Sequence, residues 1–184
     1  MHGIVFSQLH KYVVTKQGSR AWTTLLKDAQ LENRAYMSVR EYPDAEMEAL
    51  VSATATMFGQ PATVVLEDFG VFIAPSLMNI YGHLIKAEWK TIDVIDKTEE
   101  TIHNVVREQT PGAKPPVLHT IRRSQDEVVL IYGSPRKLCA FAIGIARGVA
   151  KHFKETIEVT QTKCMHNGAR HCEIVFRKRG KSGT

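Results

Sequence analysis

The segment Tyr132-Gly133-Ser134-Pro135-Arg136 carries the first group of side chains that could do chemistry. A β-branched run predicts a strand that ends here, and the apolar spacing that follows predicts a helix beginning at Pro135. Strand alternation places Tyr132 and Ser134 on one face, and Arg136 falls in the predicted first helical turn, where free N–H groups attract anions. A phenol, a hydroxyl and a guanidinium then predict a site for one carboxylate or phosphate. The alternative is structural: Ser134 caps the helix and Tyr132 packs in the core.

The second candidate is His103, which lies among Ile102, Val105 and Val106 in a predicted helix. An imidazole at the border of an apolar helix face can ligate a metal that is held in the core. Most histidines in such positions are hydrogen-bonded packing residues, so the position alone leaves both interpretations open.

The third group lies between Cys164 and Cys172, which enclose His166 and His171, and Cys139 precedes it on a predicted helix. Three thiols and two imidazoles match the soft ligands that hold tetrahedral zinc. The spacing is not that of a common zinc finger. Disulfide formation on oxidation and three unlinked thiols are the alternatives.

The composition is typical of one globular domain, since the 184 residues are 43% hydrophobic and 23% charged. The net charge is +5, but four basic residues lie in the last eight positions, so we expect a basic tail and no nucleic-acid-binding stripe. No window of about 18 uncharged apolar residues predicts a membrane span, and no signal-peptide order is present, so we expect an intracellular, cytoplasmic protein. Hydrolase, phosphate-loop and dinucleotide motifs are absent, which indicates a sensor or binding module rather than an enzyme.

The spacing of apolar residues, which predicts the helices and strands that position these groups, changes along the chain. Up to about residue 109 the apolar spacing is helical, with one helix between Pro43 and Gly59, another from Pro61 with Gly70 as a hinge, and a third that Asp96 and Glu99 begin as a capping box. Short β-branched runs at 117–121 and 128–132 predict a hairpin, and those at 157–162 and 172–176 predict a second one. A long helix is predicted between the hairpins, from about Pro135 to Phe153. The fold class is therefore α+β, with a helical N-terminal part followed by a helix and a small antiparallel sheet.

Taken together, three features resemble the haem nitric oxide/oxygen-binding (H-NOX) domain family. They are the start Met1-His2-Gly3-Ile4-Val5, His103 followed by Thr110-Pro111-Gly112-Ala113-Lys114-Pro115-Pro116, and Tyr132-x-Ser134-x-Arg136. That family includes the sensor domain of soluble guanylate cyclase and stand-alone bacterial nitric oxide sensors.

The resemblance implies a haem pocket with b-type haem. By resemblance, His103 is the proximal iron ligand, Pro115 presses on the haem, and Tyr132, Ser134 and Arg136 anchor the propionates. It divides the chain into a helical part (1–60), a haem-holding part (61–176) and the basic tail (177–184), with a pivot near Gly70 and Gly144.

The distal face decides which gas binds. By resemblance it includes Val5, Leu9, Ala74 and Phe141, where oxygen-binding members place a tyrosine near the last position. None of these four side chains donates a hydrogen bond. The resemblance therefore implies binding of nitric oxide and carbon monoxide, without a stable oxygen complex.

The cysteines match the thiols with which some bacterial members bind zinc or respond to oxidation. The expected histidine is Gln161 here, so His166 or His171 is the candidate fourth ligand to Cys139, Cys164 and Cys172. Two haem-free alternatives remain, a zinc/thiol redox sensor and a small-molecule-binding module of a related vinyl-reductase-type fold. The 184 residues contain no kinase, cyclase or receptor segment, so we expect a separate effector: a histidine kinase, a cyclic-dinucleotide enzyme or a chemotaxis receptor.

Overall fold

The computed structural model describes residues 1–110 and 113–180; Pro111, Gly112 and Lys181, on which some predictions fall, lie outside them. Within the described residues the chain forms seven α-helices and four strands. These are α1 (Gly3–Gln17), α2 (Ala21–Asp28), α3 (Asp44–Phe58), α4 (Ala62–Tyr81), α5 (Thr91–Thr98), α6 (Asn104–Gln109), β1 (Val117–Ser124), β2 (Glu127–Gly133), α7 (Cys139–His152), β3 (Ile157–Lys163) and β4 (Cys172–Lys178). A π-helical turn, Glu99–His103, joins α5 to α6.

The four strands form one antiparallel sheet in the order β1-β2-β4-β3. This confirms the α+β fold class. Tyr132 pairs with Leu118 of β1 on one side and with Cys172 of β4 on the other. The register therefore brings the end of the Tyr-x-Ser-x-Arg strand next to one of the cysteines.

Two hydrophobic clusters form the core, and their buried members divide between the helices and the sheet. The N-terminal cluster is built from α1 to α4: Phe6, Leu9, Tyr12, Val13, Leu25, Leu26, Met47, Leu50, Val51, Val65, Phe69 and Ile73. The C-terminal cluster is built from α5, the sheet and α7: Ile92, Ile95, Leu118, Val128, Leu130, Tyr132, Cys139, Ile143, Ala146, Ala150, Ile157, Cys172, Ile174 and Phe176. Because α4 belongs to the first cluster, the core continues across the predicted division at residue 60.

Helices α4 and α7 meet through glycines. A Cβ built on Gly70 would lie 2.8 Å from the Cα of Gly144, and one on Gly144 would overlap the carbonyl of Glu67. Helix α4 runs through Gly70 without a break. Gly70 therefore permits a close helix–helix approach inside a continuous helix.

Two predicted helix starts are wrong. Helix α5 begins at Thr91, because the Lys90 N–H donates to the Asp93 carboxylate at 2.9 Å, and Asp96 lies inside the helix. Helix α7 begins at Cys139, because Lys137 has a φ of 50° and residues from Ser134 form a turn. Arg136 consequently lies in a turn before α7 and not in its first turn.

The C-terminal basic residues are ordered as far as the structure describes them. Arg177 and Lys178 end β4, where Arg177 lies 2.6 Å from Glu127 and Lys178 lies 2.7 Å from Glu155. The first two residues of the predicted tail are therefore part of the sheet.

One helical stretch, Ala62–Leu84, is long and apolar enough to cross a membrane, with a mean hydropathy of 1.4. The sequence expectation of no uncharged window still applies, because Glu67 and Asp68 interrupt the stretch. Core helices have the same composition, and α4 supplies Val65, Phe69 and Ile73 to the N-terminal cluster.

Candidate functional site

A cavity of about 300 Å³ lies where the two clusters meet, and its volume is in the range of small-molecule sites. Its N-terminal wall comes from side chains that pack on the N-terminal cluster: Val5, Leu77, Phe141 and Ile145. Its C-terminal wall comes from the other cluster and the groups beside it: Ile95, Leu118, Leu130, Tyr132, Ala142, Ala146, His103, Pro115, Ser134 and Arg136. Every polar group that the sequence singled out for haem binding therefore faces one cavity.

A second, larger cavity of about 640 Å³ lies between α3 and the turn before α7. It shares Met1, Arg136 and Leu138 with the first cavity but does not include His103. The chemistry, rather than the volume, identifies the smaller cavity as the candidate site.

His103 ends the π-helical turn and reaches the cavity with a side chain that is 15% exposed. Its Nδ1 lies 2.9 Å from Glu99 Oε2. Burial lowers the pKa of His103 below its ordinary value, although the hydrogen bond with Glu99 opposes this shift. The ring is therefore held in the neutral form that a metal requires.

Glu99 is a residue that sequence reasoning assigned to a helix cap, and that assignment is wrong. Its carboxylate contacts His103, lies 2.6 Å from the Arg107 guanidinium and accepts a 3.1 Å hydrogen bond from the Leu118 N–H. Burial would raise its pKa, but the hydrogen bonds from His103, Arg107 and Leu118 hold the pKa of Glu99 below its ordinary value. Its spacing of four residues before His103 was the signal that could have identified it.

Tyr132 and Ser134 are both buried at the end of β2. The Tyr132 hydroxyl accepts a 3.2 Å hydrogen bond from the Leu138 N–H, and burial raises the pKa of the phenol. Ser134 Oγ accepts from the Arg136 N–H at 3.3 Å, so it caps the turn and not the helix. Both hydroxyls therefore stabilise the turn that carries Arg136 and also line the cavity.

Arg136 connects the turn to both halves of the molecule. Its Nη1 donates to the carbonyl of Lys114 at 2.6 Å, and its Nε lies 2.8 Å from Asp44 Oδ2. The Nε atom is buried and its N–H is not aligned for a hydrogen bond with Asp44, despite the short distance. Asp44 also lies 2.9 Å from the N-terminal amine of Met1. The guanidinium thus joins α3 to the segment before β1 and also lines the cavity.

Of the four residues predicted for the distal face, two line the cavity and two lie in the core. Val5 and Phe141 line the cavity. Leu9 is fully buried in the N-terminal cluster, and Ala74 is fully buried against Gly148. Sequence reasoning missed Tyr81, which also lines the cavity. Burial raises the pKa of its phenol. Its spacing of four residues from Leu77 on a helical pattern was the signal that could have identified it.

The three cysteines come together beside Tyr132, which pairs with Cys172 in the sheet. Their sulfur atoms all lie within 4.8 Å of one another, contributed by the start of α7, the end of β3 and the start of β4. Burial raises the pKa of Cys172 to about 11. Burial also opposes ionisation of Cys164, but the His166 N–H and the neighbouring thiols lower its pKa overall.

The two hairpin histidines do not join the cysteines. His166 Nε2 lies 2.8 Å from the Lys137 carbonyl, and His171 Nε2 lies 3.3 Å from the Glu173 carboxylate. Gln161, where a histidine was expected, has a buried side-chain nitrogen without a hydrogen-bond partner. Three sulfur donors are therefore present among the described residues, and a fourth ligand is not.

A family model described as Haem-NO-binding matches residues 2–161 of the chain. The chain belongs to this family of H-NOX domains. A search of curated proteins finds no match. Among solved structures, an H-NOX protein from S. oneidensis in the Fe(II)NO state is 27% identical, with a TM-score of 0.91 over 98% of this chain and 100% of that chain. H-NOX proteins from K. algicida (21%, TM-score 0.90) and T. tengcongensis (a mutant, 18%, TM-score 0.83) each align over 100% of both chains and share the fold.

The residues of this H-NOX chain fit a haem group. The cavity is lined mostly by hydrocarbon side chains, and the imidazoles of His103 and His2 also line it. The Arg136 guanidinium also lines the cavity and has the fork-shaped donor set that a carboxylate would take. Haem-based gas sensing is the function class of the family.

Proposed function

We propose that this chain holds one b-type haem through His103 and senses nitric oxide and carbon monoxide. The observation that carries the proposal is the His103 imidazole, held by Glu99, in a mainly apolar cavity that Tyr132, Ser134 and Arg136 also line. Haem supplies a ferrous iron that binds diatomic gases. His103 Nε2 is the ring nitrogen left for that iron, because Nδ1 is engaged by Glu99.

The rim residues hold the propionates in this proposal. Arg136 has the charge and the fork-shaped donor set for a carboxylate, and Tyr132 and Ser134 add hydroxyl donors. Pro115 lines the cavity on the same wall as His103, so it is placed to contact the porphyrin.

The N-terminal wall selects against oxygen. Its side chains Val5, Leu77, Phe141 and Ile145 are hydrocarbon and cannot donate to a polar ligand. Nitric oxide and carbon monoxide do not depend on such a donor. Tyr81 is the phenol in the cavity lining whose contribution must be tested directly.

Signal transmission uses contacts that join the two parts of the chain. Glu99 joins the His103 turn to β1 through Leu118, and Asp44 joins α3 to Arg136. Weakening of the bond to His103 would free the turn, and helices α1 to α4 would shift against the C-terminal part at the α4–α7 contact, where Gly70 meets Gly144. The size of the shift is limited by the difference in ligand affinity between the two states. A separate effector protein reads the change.

Absorption spectra test this proposal. We expect the reduced protein to change its Soret band with nitric oxide and with carbon monoxide, and to form no persistent oxygen complex in air. A Tyr81→Phe variant should behave in the same way. A persistent oxygen spectrum that disappears in Tyr81→Phe would overturn the oxygen part, and absence of haem would overturn the whole proposal. The haem-free small-molecule module is not favoured, because His103 lines the cavity.

Zinc at the three cysteines is a second proposal, supported by the sulfur cluster. Three thiolates supply most of a tetrahedral zinc site, and Gln161 leaves it without the usual nitrogen. We expect protein purified without oxygen to contain about one zinc per chain. The Cys172→Ser variant should contain less zinc, and the Gln161→His variant should bind zinc more tightly. Elemental analysis that finds no zinc in any of the three proteins would leave only thiol oxidation.

A further inference from the structure

The carboxylate of Glu99 is held by three donors at once. His103 Nδ1 lies 2.9 Å away, the Leu118 N–H donates at 3.1 Å, and the Arg107 guanidinium lies 2.6 Å away. The side chains of Glu99 and His103 are 24% and 15% exposed, so water competes only weakly. The carboxylate is therefore fixed against one particular nitrogen of the ring.

The backbone departs from the α-helix at this contact. Glu99–His103 is a π-helical turn, a form that is rare and occurs often at functional sites. Hydroxyl groups of Thr98 and Thr101 donate at 2.6 Å to the carbonyls of Val94 and Lys97, one turn earlier. The threonines thus help satisfy carbonyl groups next to the widened turn, which Glu99 begins and His103 ends.

We propose that Glu99 is a positioning residue that directs His103 toward the haem iron. By accepting the Nδ1–H, it fixes the tautomer in which Nε2 carries the lone pair. A carboxylate in this position also makes the imidazole a stronger electron donor, as carboxylate partners do for histidine ligands of metals. This inference rests on the proposed function, because it requires His103 to be the ligand.

Arg107 and Leu118 set the strength of this effect. Both withdraw charge from Glu99, so His103 receives only part of the carboxylate's influence. The Leu118 contact also means that the ring, the carboxylate and strand β1 move together. A change in the bond to His103 is therefore transmitted to the sheet through Glu99.

The test compares Glu99→Gln with Glu100→Gln in haem-loaded, reduced protein. Both remove one negative charge from the same turn, but Glu100 is 70% exposed and pairs with Lys97 instead of His103. We expect Glu99→Gln to lower the iron–histidine stretching frequency in the resonance Raman spectrum. We also expect it to shift the ferric/ferrous equilibrium about tenfold toward ferrous, which is about 59 mV for one electron. Glu100→Gln should change neither.

Unchanged frequency and potential in Glu99→Gln, with His103 still the ligand, would overturn the inference alone. Failure of the proposed function looks different, because then the iron–histidine band is absent from the unsubstituted protein or persists in His103→Gly. Should Glu99→Gln not retain haem, ¹⁵N NMR of His103 in the haem-free full chain decides. We expect the Nδ1–H tautomer in the unsubstituted chain and a mixture in Glu99→Leu; the same tautomer in both would overturn the inference.

Discussion

The two walls of the cavity are built differently. The N-terminal wall is hydrocarbon, supplied by Val5, Leu77, Phe141 and Ile145 from three helices. The C-terminal wall carries the imidazole and the anion-binding side chains, each tied to the backbone or to another charge. Under the proposed function, one wall would hold the haem and the other would determine which small ligand joins it.

The difference predicts that haem retention and ligand selectivity depend on different walls. Polar groups are costly to bury unless they have partners, so the C-terminal wall combines each with a hydrogen-bond network. Hydrocarbon side chains need no such network. We expect changes in the C-terminal wall to affect haem retention and changes in the N-terminal wall to affect ligand choice.

His103→Gly should give the largest effect in the C-terminal wall. Without the imidazole, the chain has no proximal ligand, and we expect loss of haem unless free imidazole is supplied. The measurement is the Soret absorbance per chain after purification with and without imidazole. An unchanged Soret band in His103→Gly would contradict the assignment of the ligand.

Gly144→Ala should disturb the contact between helices α4 and α7, which both line the cavity. The added Cβ would overlap the carbonyl of Glu67, so α4 and α7 must separate, and overpacking of this kind costs about 3 kcal/mol. Gly82→Ala is the matched control, because its Cβ meets nothing within 4 Å and its φ is −58°. Urea unfolding measures both, and equal free energies of unfolding would contradict the tight contact.

Arg136→Ala should release haem faster than Ser134→Ala. Removing the guanidinium leaves a propionate charge unpaired, which costs about 1.5–3 kcal/mol, or about ten- to a hundredfold in dissociation rate. Losing the neutral Ser134 hydroxyl costs about 1 kcal/mol, or about fivefold. Transfer of haem to an apo-acceptor protein gives both rates. Equal rates would show that another group holds the anion.

Phe141→Tyr should have the smallest effect, confined to ligand choice. A phenol at position 141 adds a donor beside the hydrocarbon residues of the N-terminal wall, and one hydrogen bond to a polarised acceptor is worth about 1.5 kcal/mol, or about tenfold in affinity. We expect slower loss of oxygen, with carbon monoxide affinity and haem retention unchanged. Flash photolysis measures both gases. A change in haem retention would break the separation between the walls.

Sequence and structure agree most closely where local chemistry decides. Pro43 and Gly59 mark the ends of α3 correctly, because proline and glycine act through their own backbone preferences. The β-branched runs locate all four strands to within a few residues. The grouping of His103, Tyr132, Ser134 and Arg136 came from the resemblance, and the structure places all four at one cavity.

The remaining features depend on contacts that are distant in sequence. Apolar periodicity puts Leu9 and Val5 on one side of α1, but only packing decides that Leu9 enters the core and Val5 the cavity. Glu99 matched a capping box equally well, and its contact with His103, in the π-helical turn, became visible only in the structure. The sequence by itself determined which chemical groups the chain carries and the class of its fold. The tertiary structure alone decided which groups meet, because the partners of Glu99, Arg136 and the three cysteines lie on other elements of the fold.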